Sequence, residues 1–170
     1  CEVTDSRGSP ALRLTSSALN LDSFALYSRN GFVPRLAYQD MWMAVPAGGL
    51  GASVPGRDRV RPAVPADAPS MEALELEISG VSRGPDYAHT IENAQGFWGT
   101  AVIDGASGGI DGYVISSGHA AMNIIGPLVA RTEDDAIALV SHALDLYPGR
   151  TPLVLVPVER RKIVEQMYAW

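Results

Sequence analysis

The sequence predicts an α/β fold, a sheet flanked by helices, and three observations predict it. Runs rich in β-branched and aromatic residues alternate with runs whose apolar residues recur at helical spacing. A glycine-rich turn, GASGG, joins two strand-like runs as a hairpin, and one long apolar-faced segment carries a helix-capping signal at its start.

In chain order, residues 12–16 (LRLTS) alternate apolar and polar as a half-buried strand does. From Asn20, the residues Leu21, Phe24, Ala25 and Leu26 fall at near-helical spacing, and Gly31 is placed to end that helix with a positive φ. Residues 36–45 (LAYQDMWMAV) read as a strand through Leu36, Tyr38, Met41, Met43 and Val45. The next stretch, 46–58, holds four glycines and two prolines with little to bury, and reads as a linker. Three segments are therefore expected: 1–46, a linker over 47–58, and a second domain over 59–170.

Residues 60–79 read as a strand running into a helix, with Asp67 or Ser70 as N-cap and Pro69 in the first turn. The hairpin strands are 97–104 and 109–117, and 120–130 is a further apolar strand broken at Gly126-Pro127. The helix expected over 132–147 is the clearest: Thr132 and Asp135 match a capping box, and Ala136, Ile137, Leu139, Val140, Ala143 and Leu144 form its apolar face. A strand at 151–158 and a closing helix follow.

The chain is 170 residues long with 46% hydrophobic residues, enough for a proper core. Its net charge of -6 argues against a nucleic-acid partner, because affinity for a phosphate backbone rests on clustered Lys and Arg. The basic runs at 57–61 and 159–162 read as solvated linker and helix face. The single cysteine, Cys1, cannot form an internal disulfide, and the three histidines, His89, His119 and His142, share no ligand spacing, so no metal site is expected. His142 falls near a helix C-terminus, where a cation is favoured. No run reaches the roughly 18 apolar residues a membrane helix needs. The expectation is a cytoplasmic protein with no membrane association. No nucleophile triad, Walker loop or dinucleotide fingerprint is present.

One internal relation stands out. Offsetting the chain by 141 residues places Tyr27 on Tyr168, Leu12 on Leu153, Leu14 on Leu155 and Leu26 on Met167. A domain-sized period is what two tandem copies of one α/β unit give.

The pattern N-x-x-S-x-x-L-Y-x-x-x-G-F, carried by Asn20, Ser23, Leu26, Tyr27, Gly31 and Phe32, resembles the last helix of the GNAT superfamily of N-acyltransferases. The run GGIDGYVIS looks like the family's third strand, and 124–144 resembles the C-terminal domain of tandem GNAT proteins. The resemblance implies a GNAT-like mixed, mostly antiparallel sheet, with the tail of a first GNAT unit followed by most of a second. It implies an acyl-CoA-dependent N-acyltransferase, or the C-terminal part of a tandem one, acting on a small amine or amino-acid-like acceptor. The competing expectation is a non-catalytic GNAT-like lobe that shapes a pocket or mediates dimerisation. By the same resemblance Tyr27 is the catalytic general acid, Asn20 and Ser23 lie near acetyl-CoA, and Arg83, Asp86 and Tyr87 line the acceptor pocket. Glu75, Glu77, Asp104 and Asp111 are possible bases by type, but read as surface carboxylates. A homodimer or a missing first GNAT unit is the implied partner.

The family's pyrophosphate loop is glycine-rich and opens a helix, because free amides and the positive helix end suit an anion. The corresponding stretch here is VARTEDDA, 129–136, which keeps Arg131, lacks the glycines and places Glu133, Asp134 and Asp135 in the first turn. Cofactor binding by the second unit is therefore not expected.

Overall fold

The computed structural model describes Ser6, Gly8, residues 12–17 and residues 19–170. Cys1, on which the disulfide argument turned, lies outside the described residues. The chain forms two compact units, Cys1–Arg35 and Leu36–Trp170.

In the first unit, helix α1 spans Leu21–Arg29. Asn20 starts it: its side-chain oxygen accepts the Ser23 N–H at 3.1 Å. Gly31 stops it at φ 84°, as its placement predicts. Around that glycine the Phe32 N–H donates to the Tyr27 carbonyl and the Gly31 N–H to the Ser28 carbonyl, both at 3.1 Å, the pair of hydrogen bonds of a Schellman ending. The Tyr27 and Phe32 rings then meet edge to face at 5.8 Å, closing the apolar contact that accompanies such an ending. None of the residues of α1 is buried. Residues 12–17 form no strand, against expectation: alternation alone does not make one without a partner edge.

The second unit is built on one sheet. Strands β1 (Tyr38–Trp42), β2 (Val60–Pro62), β3 (Trp98–Asp104), β4 (Ile110–His119), β5 (Met122–Ala130) and β6 (Leu153–Pro157) lie in the order β1-β6-β5-β4-β3-β2. Every neighbouring pair is antiparallel except β5 and β6. Those two run parallel and pair only at Ile124 with Leu153 and Ile125 with Val154. Pro127, which has no N–H to donate, stands two residues beyond Ile125, and β4 opposite carries a register shift between Val114 and Ser116.

Helices α2 (Ala68–Ser79) and α3 (Gly84–Glu92) cover one face, and α4 (Glu133–Asp145) and α5 (Arg161–Ala169) the other. The strand period of two sorts the core. Ala101 and Ile103 point toward α4 with Val114, Ile125 and Val154, while Val102 packs with Tyr113, Met71 and Leu74. α4 comes close because the sheet offers it glycine: a Cβ on Gly112 would stand 2.9 Å from both Leu139 Cδ1 and the Val129 carbonyl. The Thr132 hydroxyl accepts the Asp135 N–H at 3.1 Å, so the predicted cap forms. Asp67, by contrast, does not cap α2; its carboxylate takes the Val64 N–H and Arg61.

The division after Arg35 falls earlier than the boundary the glycine-proline run suggested. β1 belongs to the sheet, paired with β6 from Tyr38–Pro157 to Trp42–Leu153. It supplies the outer strand in antiparallel sense, although it precedes every other strand in the chain. The expected linker is pinned as well: the Leu50 N–H bonds Asp145 at 2.7 Å, Val45 exchanges bonds with Gly149 and Arg150, and Leu50 and Val54 pack on the core. Among the described residues, no helix is long and apolar enough to cross a membrane.

Candidate functional site

Where β5 turns into α4, the connection is only Arg131 and Thr132. Arg131 is bonded through both its backbone and its side chain. The Arg131 N–H bonds the Asp111 carbonyl at 2.9 Å, and the Arg131 guanidinium forms a two-pronged bond with Glu77 at 2.7 and 2.8 Å. That pairing lowers the Glu77 pKa and raises that of Arg131.

The three carboxylates of the first turn each have a partner inside the chain. Glu133 accepts the Ile163 N–H at 3.2 Å and so caps the start of α5. Asp134 meets Lys162 at 2.5 Å. Asp135, buried, meets Arg59 at 2.5 Å and accepts the Thr132 hydroxyl at 2.6 Å. Bonding to Asp135 raises the Arg59 pKa. The run 57–61 is thus not a solvated linker: Arg59 also donates to the Asp104 carbonyl at 2.7 Å, and Arg61 pairs with Asp67 and Asp104. Pairing offsets two of the three carboxylate charges, so repulsion of a phosphate is weaker than the sequence alone suggests. What distinguishes the turn is that its connection is two residues long without glycine and that its neighbouring cations are each paired with a carboxylate of this chain. These residues do not fit a CoA pyrophosphate.

On the opposite face lies a buried polar cluster that the sequence reading missed. Glu75, expected at the surface, is 2% exposed. Its Oε2 accepts the Tyr113 hydroxyl at 2.7 Å and the Tyr87 hydroxyl at closer range, and its Oε1 accepts Arg83 Nε at 2.8 Å. Burial, then the bond to Glu75, pushes the Tyr87 pKa up to about 12. Burial and its tyrosine and Glu75 bonds raise Tyr113 as well. Arg83 and Tyr87 therefore converge on one carboxylate, while Asp86 stays exposed at the start of α3. Tyr87 is fully buried, so any effect it has on a ligand passes through Glu75 or Arg83.

Asn20, Ser23 and Tyr27 are all carried by the first unit, where Asn20 and Ser23 bond each other as the helix start and Tyr27 sits two turns on, half-exposed. Tyr168, which the 141-residue offset places on Tyr27, accepts a bond from Gln39 of β1. His142 is not the helix-end cation expected: burial first, then Arg57, lowers its pKa. Asp104 and Asp111 are held by arginines. Among the described residues no group of three His, Cys, Asp or Glu side chains is placed to hold a metal.

Residues 71–168 match the model of a family described as "Acetyltransferase (GNAT) domain". No curated protein matches the chain. Among solved structures it is similar to a GCN5-related N-acetyltransferase from Sphaerobacter thermophilus, with TM-score 0.53 and 20% identity over 89% of this chain and 53% of that one. It is also similar to a GCN5-related N-acetyltransferase from Kribbella flavida, with TM-score 0.50 and 18% identity over 91% of this chain and 38% of that one. At these identities the likeness concerns the fold, and the chain spans about half or less of each structure.

Proposed function

We propose a function from one premise: the chain belongs to the GNAT acetyltransferase family. The function is acyl-CoA-dependent N-acyl transfer to a small amine, by a protein of tandem architecture. In it, residues 36–170 form a GNAT-shaped lobe with its own pocket-lining residues, and the Asn20–Phe32 motif belongs to the unit that carries the transfer.

The observation that carries this division of labour is the first turn of α4, where the side chains of Thr132, Glu133, Asp134 and Asp135 are all bonded within the chain. An intact N-x-x-S-x-x-L-Y motif on α1 supports transfer in the other unit. So does the surface of α1: Leu21, Phe24 and Leu26 are exposed apolar residues that a first GNAT unit would cover. Arg83 and Asp86 are the acceptor contacts in this reading, with Tyr87 and Glu75 holding Arg83 in place.

Thiol release from acetyl-CoA in the presence of mixed small amines tests the proposal. Tyr27→Phe should lower turnover at least tenfold, while Glu133→Gln, which removes a first-turn charge, should leave it within about twofold. A Tyr27→Phe variant as active as the parent, with the Michaelis constant for acetyl-CoA changed by Glu133→Gln, would overturn it. The second reading, a non-catalytic pocket-shaping lobe, is favoured by the same acidic turn. It takes over if no thiol is released with any amine and acetyl-CoA does not bind at millimolar concentration.

A further inference from the structure

One side chain of the buried Glu75 cluster reaches the surface. Arg83 closes the connection between α2 and α3, and its side chain is 38% exposed. It is held at both ends. Its carbonyl accepts the Asp86 N–H at 2.7 Å and the Tyr87 N–H at 3.2 Å, and its Nε donates to Glu75 Oε1 at 2.8 Å. Glu75 is itself fixed, because its Oε2 accepts the Tyr113 and Tyr87 hydroxyls and the residue is buried. The guanidinium is thereby oriented from inside the fold. Of the five N–H groups a guanidinium has, Glu75 uses the one on Nε. Those on Nη1 and Nη2 have no partner among the described residues.

Burying a carboxylate to hold an arginine is costly, and apolar residues of similar volume often stabilise a fold as well or better. What this ion pair adds is a planar donor pair whose direction is set in advance. Two N–H groups side by side match the two oxygens of a carboxylate. The surroundings narrow the class. Glu72 accepts the Ser82 hydroxyl and lies beside Gly84, where an added Cβ would stand 3.3 Å from Glu72 Oε1. Asp86 is exposed in the first turn of α3. Neither carboxylate meets a cation among the described residues. With Arg83 already offset by Glu75, this part of the surface is net negative, so it repels a phosphate dianion. A ligand that brings its own ammonium group with its carboxylate meets attraction at both ends.

We propose that this turn binds an amino acid, its carboxylate on Arg83 Nη1 and Nη2 and its amine toward Glu72 and Asp86, with Glu75 and Tyr113 as the positioning residues that aim Arg83. Together with the reading of Arg83 and Asp86 as acceptor contacts, on which it rests, this makes the acyl acceptor an amine that also carries a carboxylate.

The test compares amino acids with the amines left when the carboxylate is removed: phenylalanine with phenethylamine, lysine with cadaverine, alanine with ethylamine. Each is titrated into the full chain without acetyl-CoA while the Arg83 Nε–H resonance, assigned through Arg83→Lys, is followed. At least one amino acid should saturate below about 10 mM and shift that resonance, with its amine counterpart at least tenfold weaker. Arg83→Lys, which keeps the charge and loses the planar fork, should remove most of that preference. Glu75→Gln should weaken amino-acid binding several-fold more than amine binding, whereas a purely structural Glu75 would move both alike. Equal binding of an amino acid and its amine in every pair overturns the proposal, as does the absence of saturation by all three amino acids. Selective amino-acid binding with no thiol release from acetyl-CoA upholds the site and overturns acyl transfer. Thiol release supported by the amines and not by the amino acids upholds acyl transfer and overturns the site. The wild-type titrations decide the matter even where a variant fails to fold.

Discussion

The Arg59 guanidinium and the buried Asp135 carboxylate meet at 2.5 Å, joining the turn before β2 to the first turn of α4. Arg59→Met keeps the aliphatic stem and strands the carboxylate. Breaking a fully buried pair costs several kcal/mol, but the Arg59 side chain is 36% exposed, so the expected loss is about 2 kcal/mol. Urea unfolding measures it. Adding Asp135→Asn should recover part of the loss, because the stranded charge is then gone.

Tyr113→Phe removes one of the donors to Glu75 and should cost about 1–2 kcal/mol by the same measurement. The cluster also sets the alkaline limit of stability. Tyr87 titrates at about 12 when folded, against about 10 in an unfolded chain. Its contribution is therefore complete below pH 10 and is lost as pH rises from about 10 to 12. Tyr113 and Tyr147 are raised too and act in the same direction. Ultraviolet titration of tyrosinate should show these residues ionising only as the fold is lost.

Asp67 governs part of the acid limb. Its bonds to Arg61, and then to the Val64 N–H, lower its pKa below that of an unfolded aspartate, about 3.9. The stability it supplies is present above that value and is lost as pH falls below about 4. Asp67→Asn should accordingly be less stable than the parent at pH 7, and the gap should close in acid denaturation curves below pH 4.

Gly112→Ala should destabilise by about 2 kcal/mol, read by thermal or urea unfolding. The new methyl would meet the Val129 carbonyl at 2.9 Å, and backbone within a sheet gives way less readily than a side-chain tip.

Much of this was legible in the sequence because it is local. The Thr132 cap, the 105–109 hairpin turn and the Gly31 helix ending are written within a few residues each, and all three form. Pairing between distant segments is not written that way. Residues 12–16 alternate more regularly than 38–42 do, yet only the latter find an edge, on β6. Composition marked 46–58 as linker, while its anchor, Asp145, which takes the Leu50 N–H and pairs with Arg57, lies far along the chain. The partners of Glu75 are likewise remote, although one signal was available: Glu75 follows Met71 by four residues and shares the buried stripe of α2 with Leu74. A carboxylate on an apolar helix face needs donors from elsewhere. The resemblance at Asn20–Phe32 was legible in residue identity, and its local geometry, cap and ending together, follows from those same residues.

The central claim is that α4 begins with a closed, self-paired turn where the family's helices open to a pyrophosphate. Its most direct test is to titrate acetyl-CoA into the full chain and follow the backbone amide resonances of 131–136. The account predicts that these six amides hold still at millimolar ligand. Saturable shifts at Glu133 and Asp134 would contradict it and place the cofactor in this lobe.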